Sequence, residues 1–239
     1  MFPHDILTLY STKAIEYLIA VAFLVSFVPF WKYVSAERPA AQAALQPAKR
    51  KMYDLVEWFR MAGDVAFHPG HAWARVEAPG SLTVGLDDFA QKLVGPFKAV
   101  ELPPVGTRLV EGQAAWRLHA DGSSVQMLSP VDGVVTAVNS RVLQKPTVAN
   151  RDPFGQGWLL RVESPRFDAA RRGLMNGRVA RHWLEEATEQ VRMKLSPELG
   201  VVMQDGGTPV DGIAHAIDPE RWDRIAAEFL LTGERPQNA

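Results

Sequence analysis

Between Trp116 and Val138 the chain reads WRLHADGSSVQMLSPVDGVVTAV, and an Asp-Gly pair divides two alternating runs. Trp116, Leu118 and Ala120 alternate with polar residues before the pair; Val125 and Met127 alternate with Ser124 and Gln126 after it. Two strands joined by Asp121-Gly122 follow, because a two-residue type I′ turn demands the positive φ that Gly tolerates. Ser129-Pro130-Val131-Asp132-Gly133 makes a second turn, with Pro130 presetting φ and Gly133 free to go left-handed. A closely wound antiparallel β domain is the consequence, since such strands must bury one face against others like them.

The flanks carry a longer pattern. His71-Ala72-Trp73, Val84-Gly85, Phe89-Ala90, Val100-Glu101-Leu102-Pro103, Val105-Gly106, Ser129-Pro130-Val131, Gly133 and Asn150-Arg151-Asp152-Pro153-Phe154-Gly155-Gln156-Gly157-Trp158-Leu159 occur in this order. In that order they resemble the H protein of the glycine cleavage system, a lipoyl carrier of the barrel-sandwich type. The resemblance covers roughly residues 67–163, and the Asn-x-Asp-Pro-Phe-Gly-x-Gly-Trp run is its most specific part. It departs from the family at Ala72, where a Glu is usual, and at the hairpin tip.

The resemblance implies a lipoyl-lysine at the tip, eight residues before the Pro of the second turn. That position is Gly122, and no lysine occurs between Lys98 and Lys145. Lipoylation forms an amide with a primary amine, which Arg117 does not offer. The expectation is a mainly β, H-protein-like fold with added helices, without the carrier group and with no cofactor.

Residues 14–33, AIEYLIAVAFLVSFVPFWKY, form the most apolar stretch. About 20 residues cross a bilayer. Tyr17, Trp31 and Tyr33 fall where an aromatic belt would lie, and Lys13 and Lys32 bracket the span. A single transmembrane helix is expected, with a cleaved signal peptide ending near Val34-Ser35-Ala36 and a buried globular helix as the alternatives. Lys32, Arg38, Lys49, Arg50 and Lys51 follow the span and Lys13 alone precedes it. This asymmetry predicts the C-terminal part on the cytoplasmic side of the inner membrane.

The expected organisation is a tail and anchor over 1–36, a tether and linker helix over 37–66, the β domain over 67–163 and a helical and hairpin extension over 164–239. Residues 37–50 are rich in Ala, Pro and Gln, as tethers are. Met52, Leu55, Val56 and Phe59 have helical spacing, so a helix is expected over 51–62. Asp87-Asp88 caps a short helix over 89–93, and Asn176 starts one running to about Leu195. A second hairpin is expected over 200–211. Asp218-Pro219 opens a last helix, with Asp at the cap and Pro at the first helical position.

A net charge of −1 gives no bulk attraction to nucleic acid, and the absence of cysteine excludes disulfides, thiolate metal sites and a Cys nucleophile. His68 and His71 have a ligand-like spacing but no further ligands nearby in sequence, so strand-edge histidines are expected rather than a metal site. His119, Asp121 and the serines Ser123 and Ser124 could suggest a nucleophilic triad, yet no strained elbow surrounds them. No catalytic residue and no small-molecule substrate is expected.

What remains is a non-catalytic, membrane-anchored docking subunit of a membrane redox or respiratory complex. Its partners would be the other subunits, with the bilayer contacted through residues 14–33. The residues expected to meet a partner are the tip residues His119, Asp121, Gly122 and Ser123 and the aromatics Trp183, Trp222 and Phe229, the aromatics being core residues on the alternative reading. The alternatives in function are a lipoyl-type carrier related to glycine cleavage and a lipoate-related assembly factor.

Overall fold

The structure, a computed structural model, describes residues 15–27, 29–30, 53–165, 173–199 and 211–233. The chain divides into two compact units, Met1–Lys51 and Met52–Ala239. In the first, residues 15–27 form helix α1. Its side chains are exposed throughout, including Ile15, Leu18, Ile19, Phe23 and Leu24. Among the described residues no helix is long and apolar enough to cross a membrane. Of the expected 14–33 span, residues 14, 28 and 31–33 lie outside the described residues.

The second unit is built on eleven short strands, all paired antiparallel. They are β1 (Asp54–Val56), β2 (Phe59–Met61), β3 (Ala66–Phe67), β4 (Ala72–Ala78), β5 (Ser81–Leu86), β6 (Ala99–Glu101), β7 (Arg108–Leu109), β8 (Ala114–Ala120), β9 (Ser123–Leu128), β10 (Gly133–Val138) and β11 (Leu160–Glu163). One sheet has the order β3-β4-β5-β11-β10-β7, a second β6-β8-β9, and β1-β2 stand as a separate hairpin. Trp73, Phe59, Phe67, Phe89, Phe97 and Phe154 are the largest fully buried side chains of the core. They come from strands β2, β3 and β4, from the helix Asp88–Val94 and from the connecting segments at Phe97 and Phe154, so the core is closed by helix and loop side chains as well as by the sheets.

Helices α2 (Asp88–Val94), α3 (Ser140–Gln144), α4 (Thr147–Arg151), α5 (Gly177–Leu199), α6 (Ile213–Ile217) and α7 (Trp222–Phe229) pack on this frame. Asp87 caps α2 by accepting from the Ala90 N–H at 2.8 Å. The core cluster takes in Leu184, Val191, Trp222 and Phe229 together with the strands, so the expected β domain and extension share one interior.

The helix expected over 51–62 is a β-hairpin instead. Val56 pairs with Phe59 across Glu57-Trp58, and Glu57 takes a φ of 52° to make the turn. Val56, Phe59 and Met61 are buried while Leu55 is 63% exposed, a pattern that no single helical face can produce. The fully buried Asp88 explains the outcome: its carboxylate accepts from Arg60 Nη2 at 2.6 Å, Nε at 2.9 Å and the backbone N–H at 2.8 Å. The hairpin is a strap drawn onto α2 by one buried charge.

The last helix also begins later than its cap signal. Asp218 closes α6, and its Oδ1 accepts from the Glu220 and Arg221 N–H groups, so α7 starts at Trp222. The hairpin expected over 200–211 lies outside the described residues except for Asp211.

Candidate functional site

The β8–β9 hairpin closes as its sequence requires. Ala120 pairs with Ser123, and Asp121 and Gly122 hold φ of 41° and 82° in a two-residue loop. A side chain at position 122 would meet nothing within 4 Å, so the tip is open at that point. Its flank is not open. Ser123 Oγ donates to Asp223 Oδ2 of α7 at 2.9 Å. His215 Nε2 of α6 lies 3.6 Å from Asp121 Oδ2, and the His215 ring stacks on Trp222 at 4.6 Å. Thr232 Oγ1, beyond α7, donates to the Gln126 carbonyl on the free edge of β9 at 3.2 Å. Helices α6 and α7 thus clasp the hairpin from the side, covering an edge strand that would otherwise present unpaired backbone groups.

The expected partner residues separate accordingly. Asp121 and Gly122 are exposed at the tip. His119 is half-buried and its Nε2 sits 2.9 Å from Glu101 Oε1 on β6. No triad forms, because His119 faces Glu101 and Ser123 faces Asp223. Trp222 and Phe229 are buried in the chain's own core, at 3% and 8% exposure. Trp183 is partly buried and lies against His71 and Phe67. The aromatic stripes of α5 and α7 are therefore spent on holding the extension to the β frame, which leaves the tip as the accessible part of the set.

The Asn150–Trp158 run is fixed by its own hydrogen bonds. Asn150 accepts from the Phe97 N–H at 3.1 Å and donates to the Gly95 carbonyl at 2.8 Å, tying α4 to the end of α2. Asp152 Oδ2 accepts from the Gln156 N–H, and Tyr53 donates to Oδ1. Burial, then the Asp152 charge, pushes the Tyr53 hydroxyl up to about 12, so it stays a donor at neutral pH. A Cβ on Gly157 would lie 2.6 Å from Ala149 Cα, and one on Gly133 would lie 2.5 Å from the Glu163 carbonyl. Only glycine fits at either close approach.

Among the described residues no group of three His, Cys, Asp or Glu side chains could hold a metal ion. His68 is turned inward, its Nδ1 accepting from the Gly70 N–H at 3.0 Å, and burial followed by the neighbouring His71 lowers its pKa. His71 is buried with a φ of 60°, its Nδ1 2.8 Å from Asp87 Oδ2.

Two antiparallel sheets, with a tight hairpin in the smaller one and glycines at close backbone approaches, define a sheet-rich scaffold of the lipoyl-carrier type. The family model of the glycine cleavage H-protein matches residues 65–187, and the chain belongs to that family. Residues within this match extend to Ala187 on α5, past the 163 boundary expected from the motifs alone. The glycine cleavage system H protein of Xanthomonas euvesicatoria pv. vesicatoria is 43% identical over 101 residues, 42% of this chain and 77% of that protein. That of Xanthomonas campestris pv. campestris is 42% identical over the same length. The crystal structure of a glycine cleavage system H protein from Mycobacterium marinum is similar with a TM-score of 0.41 and 26% identity, over 44% of this chain and 86% of that one.

Proposed function

We propose that this chain is a non-catalytic docking subunit on an H-protein scaffold that does not carry lipoate. The observation that carries the reading is the tip. Asp121-Gly122 occupies the expected carrier position, no lysine lies between Lys98 and Lys145, and α6 and α7 brace the hairpin from one side. A carrier needs an amine on a freely approached loop, whereas a docking element gains from being held in one shape, since preorganisation lowers the cost of binding. The tip residues His119, Asp121 and Gly122 are the contact surface in this reading. Its partner class is a larger redox complex at a membrane, because carriers of this fold present their hairpin to redox enzymes. The exposed apolar side chains of α1 support an anchor over residues 14–33 in the inner membrane, and the lysines and arginines after it support a cytoplasmic C-terminal part.

Intact-mass measurement on the chain purified from its own host tests the loss of carrier chemistry. The unmodified mass is expected. A lipoyl adduct on any lysine would restore the carrier reading in glycine cleavage that the family relationship otherwise suggests.

A further inference from the structure

The chain has four asparagines, of which Asn139, Asn150 and Asn176 lie among the described residues. Asn139 is 5% exposed, its Nδ2 donating to the Gln156 and Trp158 carbonyls at 2.8 and 2.7 Å and its Oδ1 accepting from the Arg141 N–H. Asn150 is tied to Phe97 and Gly95 in the same manner. Asn176, at the entry to α5, differs from both. It is exposed, and no described group hydrogen-bonds its side-chain amide. Gly177 follows it, also exposed, with a φ of 53° and open space where a Cβ would stand. Gly177 is the first residue of α5, so its N–H is among those with no intrahelical acceptor.

A free side-chain amide thus sits next to an unscreened backbone nitrogen, and reactants held in one chain combine without the cost of meeting. We propose that Asn176-Gly177 is a self-modifying site, at which the asparagine deamidates through a cyclic imide. The Gly177 nitrogen gives its proton to water and attacks Asn176 Cγ. The new N–Cγ bond forms, the Cγ–Nδ2 bond breaks, and ammonia leaves with a proton from water. Water then opens the imide ring. Cleavage of the new N–Cγ bond leaves an aspartate in the ordinary linkage, and cleavage at the main-chain carbonyl leaves a β-linked isoaspartate. On either route an amide and a water become a carboxylate and an ammonium ion, with no change of oxidation state. The first turn of α5 has no acidic residue, and a carboxylate just before free helical N–H groups is favourable. The aspartate product therefore strengthens the start of the helix whose Leu184 and Val191 join the core. No residue of the hairpin tip takes part, so the site stands independently of the docking role.

The test incubates the full chain in detergent micelles at mildly alkaline pH in ¹⁸O-water. Peptide mapping follows, with fragmentation that separates the two linkages. Incorporated ¹⁸O is expected at position 176, in aspartate and isoaspartate together, and about 10-fold less or lower at Asn139 and Asn150. Gly177→Ala should slow the change by about 10-fold, because its methyl crowds the attacking nitrogen. Asn176→Gln, which would need a larger ring, should remove it. Asn176→Asp carries the product's charge from the start and should melt above Asn176→Gln; a melting point no higher overturns the consequence for α5. The proposal itself is overturned if Asn176 keeps its amide over a period in which the urea-unfolded chain loses it. Equal modification of Asn139 and Asn150 would also overturn it, as would aspartate as the sole product, since direct hydrolysis makes no β-linkage.

Discussion

Asp88 and Arg60 show at the scale of single residues how burial decides the value of a charge. Arg60→Ala leaves a fully buried carboxylate without its guanidinium, and should destabilise the chain by about 3 kcal/mol in urea unfolding. Arg181→Ala removes a pair to Asp54 whose side chains are 40% and 61% exposed, and should cost less than about 1 kcal/mol. Equal effects would mean that the strap is not held by Asp88. The glycines divide in the same way. Gly133→Ala drives a methyl into the Glu163 carbonyl and should cost more than Gly122→Ala, which meets open space and pays only for its positive φ, about 1 kcal/mol. His68 supplies a pH dependence. Its folded pKa is lowered from 6.5, so between the two values the unfolded chain binds more protons. Stability should therefore rise with pH through that window and fall as pH drops below about 6.5. His68→Asn should flatten this slope in thermal melts, and an unchanged slope would assign it to other groups. Asp87 as a cap and Asp121-Gly122 as a turn are legible in the sequence because each acts on backbone within a few residues. The Arg60–Asp88 pair is not, because its partners are 28 residues apart and only the packed strap brings them together.

Elements were readable to the extent that their signals were local and long enough. Strands β8 and β9 alternate over six or seven residues, and α5 keeps a buried helical stripe from Ala180 to Val191, with Val179, expected in that stripe, 65% exposed. The strap fails this condition. Its two strands have three residues each, too few to separate a period of two from one of 3.6, and the apolar positions satisfy both. Strand β11 and helices α3 and α4 are four or five residues long, too short for a period to be read from sequence even where β11 alternates. The clasp of α6 and α7 on the hairpin joins segments about 100 residues apart, and nothing in either announces the other. This clasp has a measurable composition. Trp222→Ala empties a core position and should cost about 3–5 kcal/mol, unfolding the extension before the β frame. Asp223→Ala removes one part-buried hydrogen bond to Ser123 and should cost about 1 kcal/mol. A small effect of Trp222→Ala on stability, with loss of partner binding, would return that residue to an interface.

For the whole molecule, the family was legible from spaced motifs because glycines and polar caps at close approaches have few substitutes. Gly133, Gly157 and Asn150 each make a contact that another side chain would disrupt or leave unpaired. The proposed role is less legible, because a docking surface has no required chemistry, and Trp222 and Phe229, two of the aromatics expected to supply one, are buried in the chain's own core. Two features motivate the docking proposal: a hairpin without a lysine, and exposed apolar side chains along α1. Deleting residues 1–36 should release the remainder from carbonate-washed membranes, and retention after that deletion would place the attachment elsewhere. The most direct measurement of the central claim is the native mass of the full chain after gentle detergent extraction from its own membranes. A docking subunit should migrate well above its 26.5 kDa with co-purifying subunits, and substitution at the tip, Asp121→Lys, should shift it toward the free chain. Migration of the parent chain as a lone monomer, with no companion at any stage of purification, would contradict it.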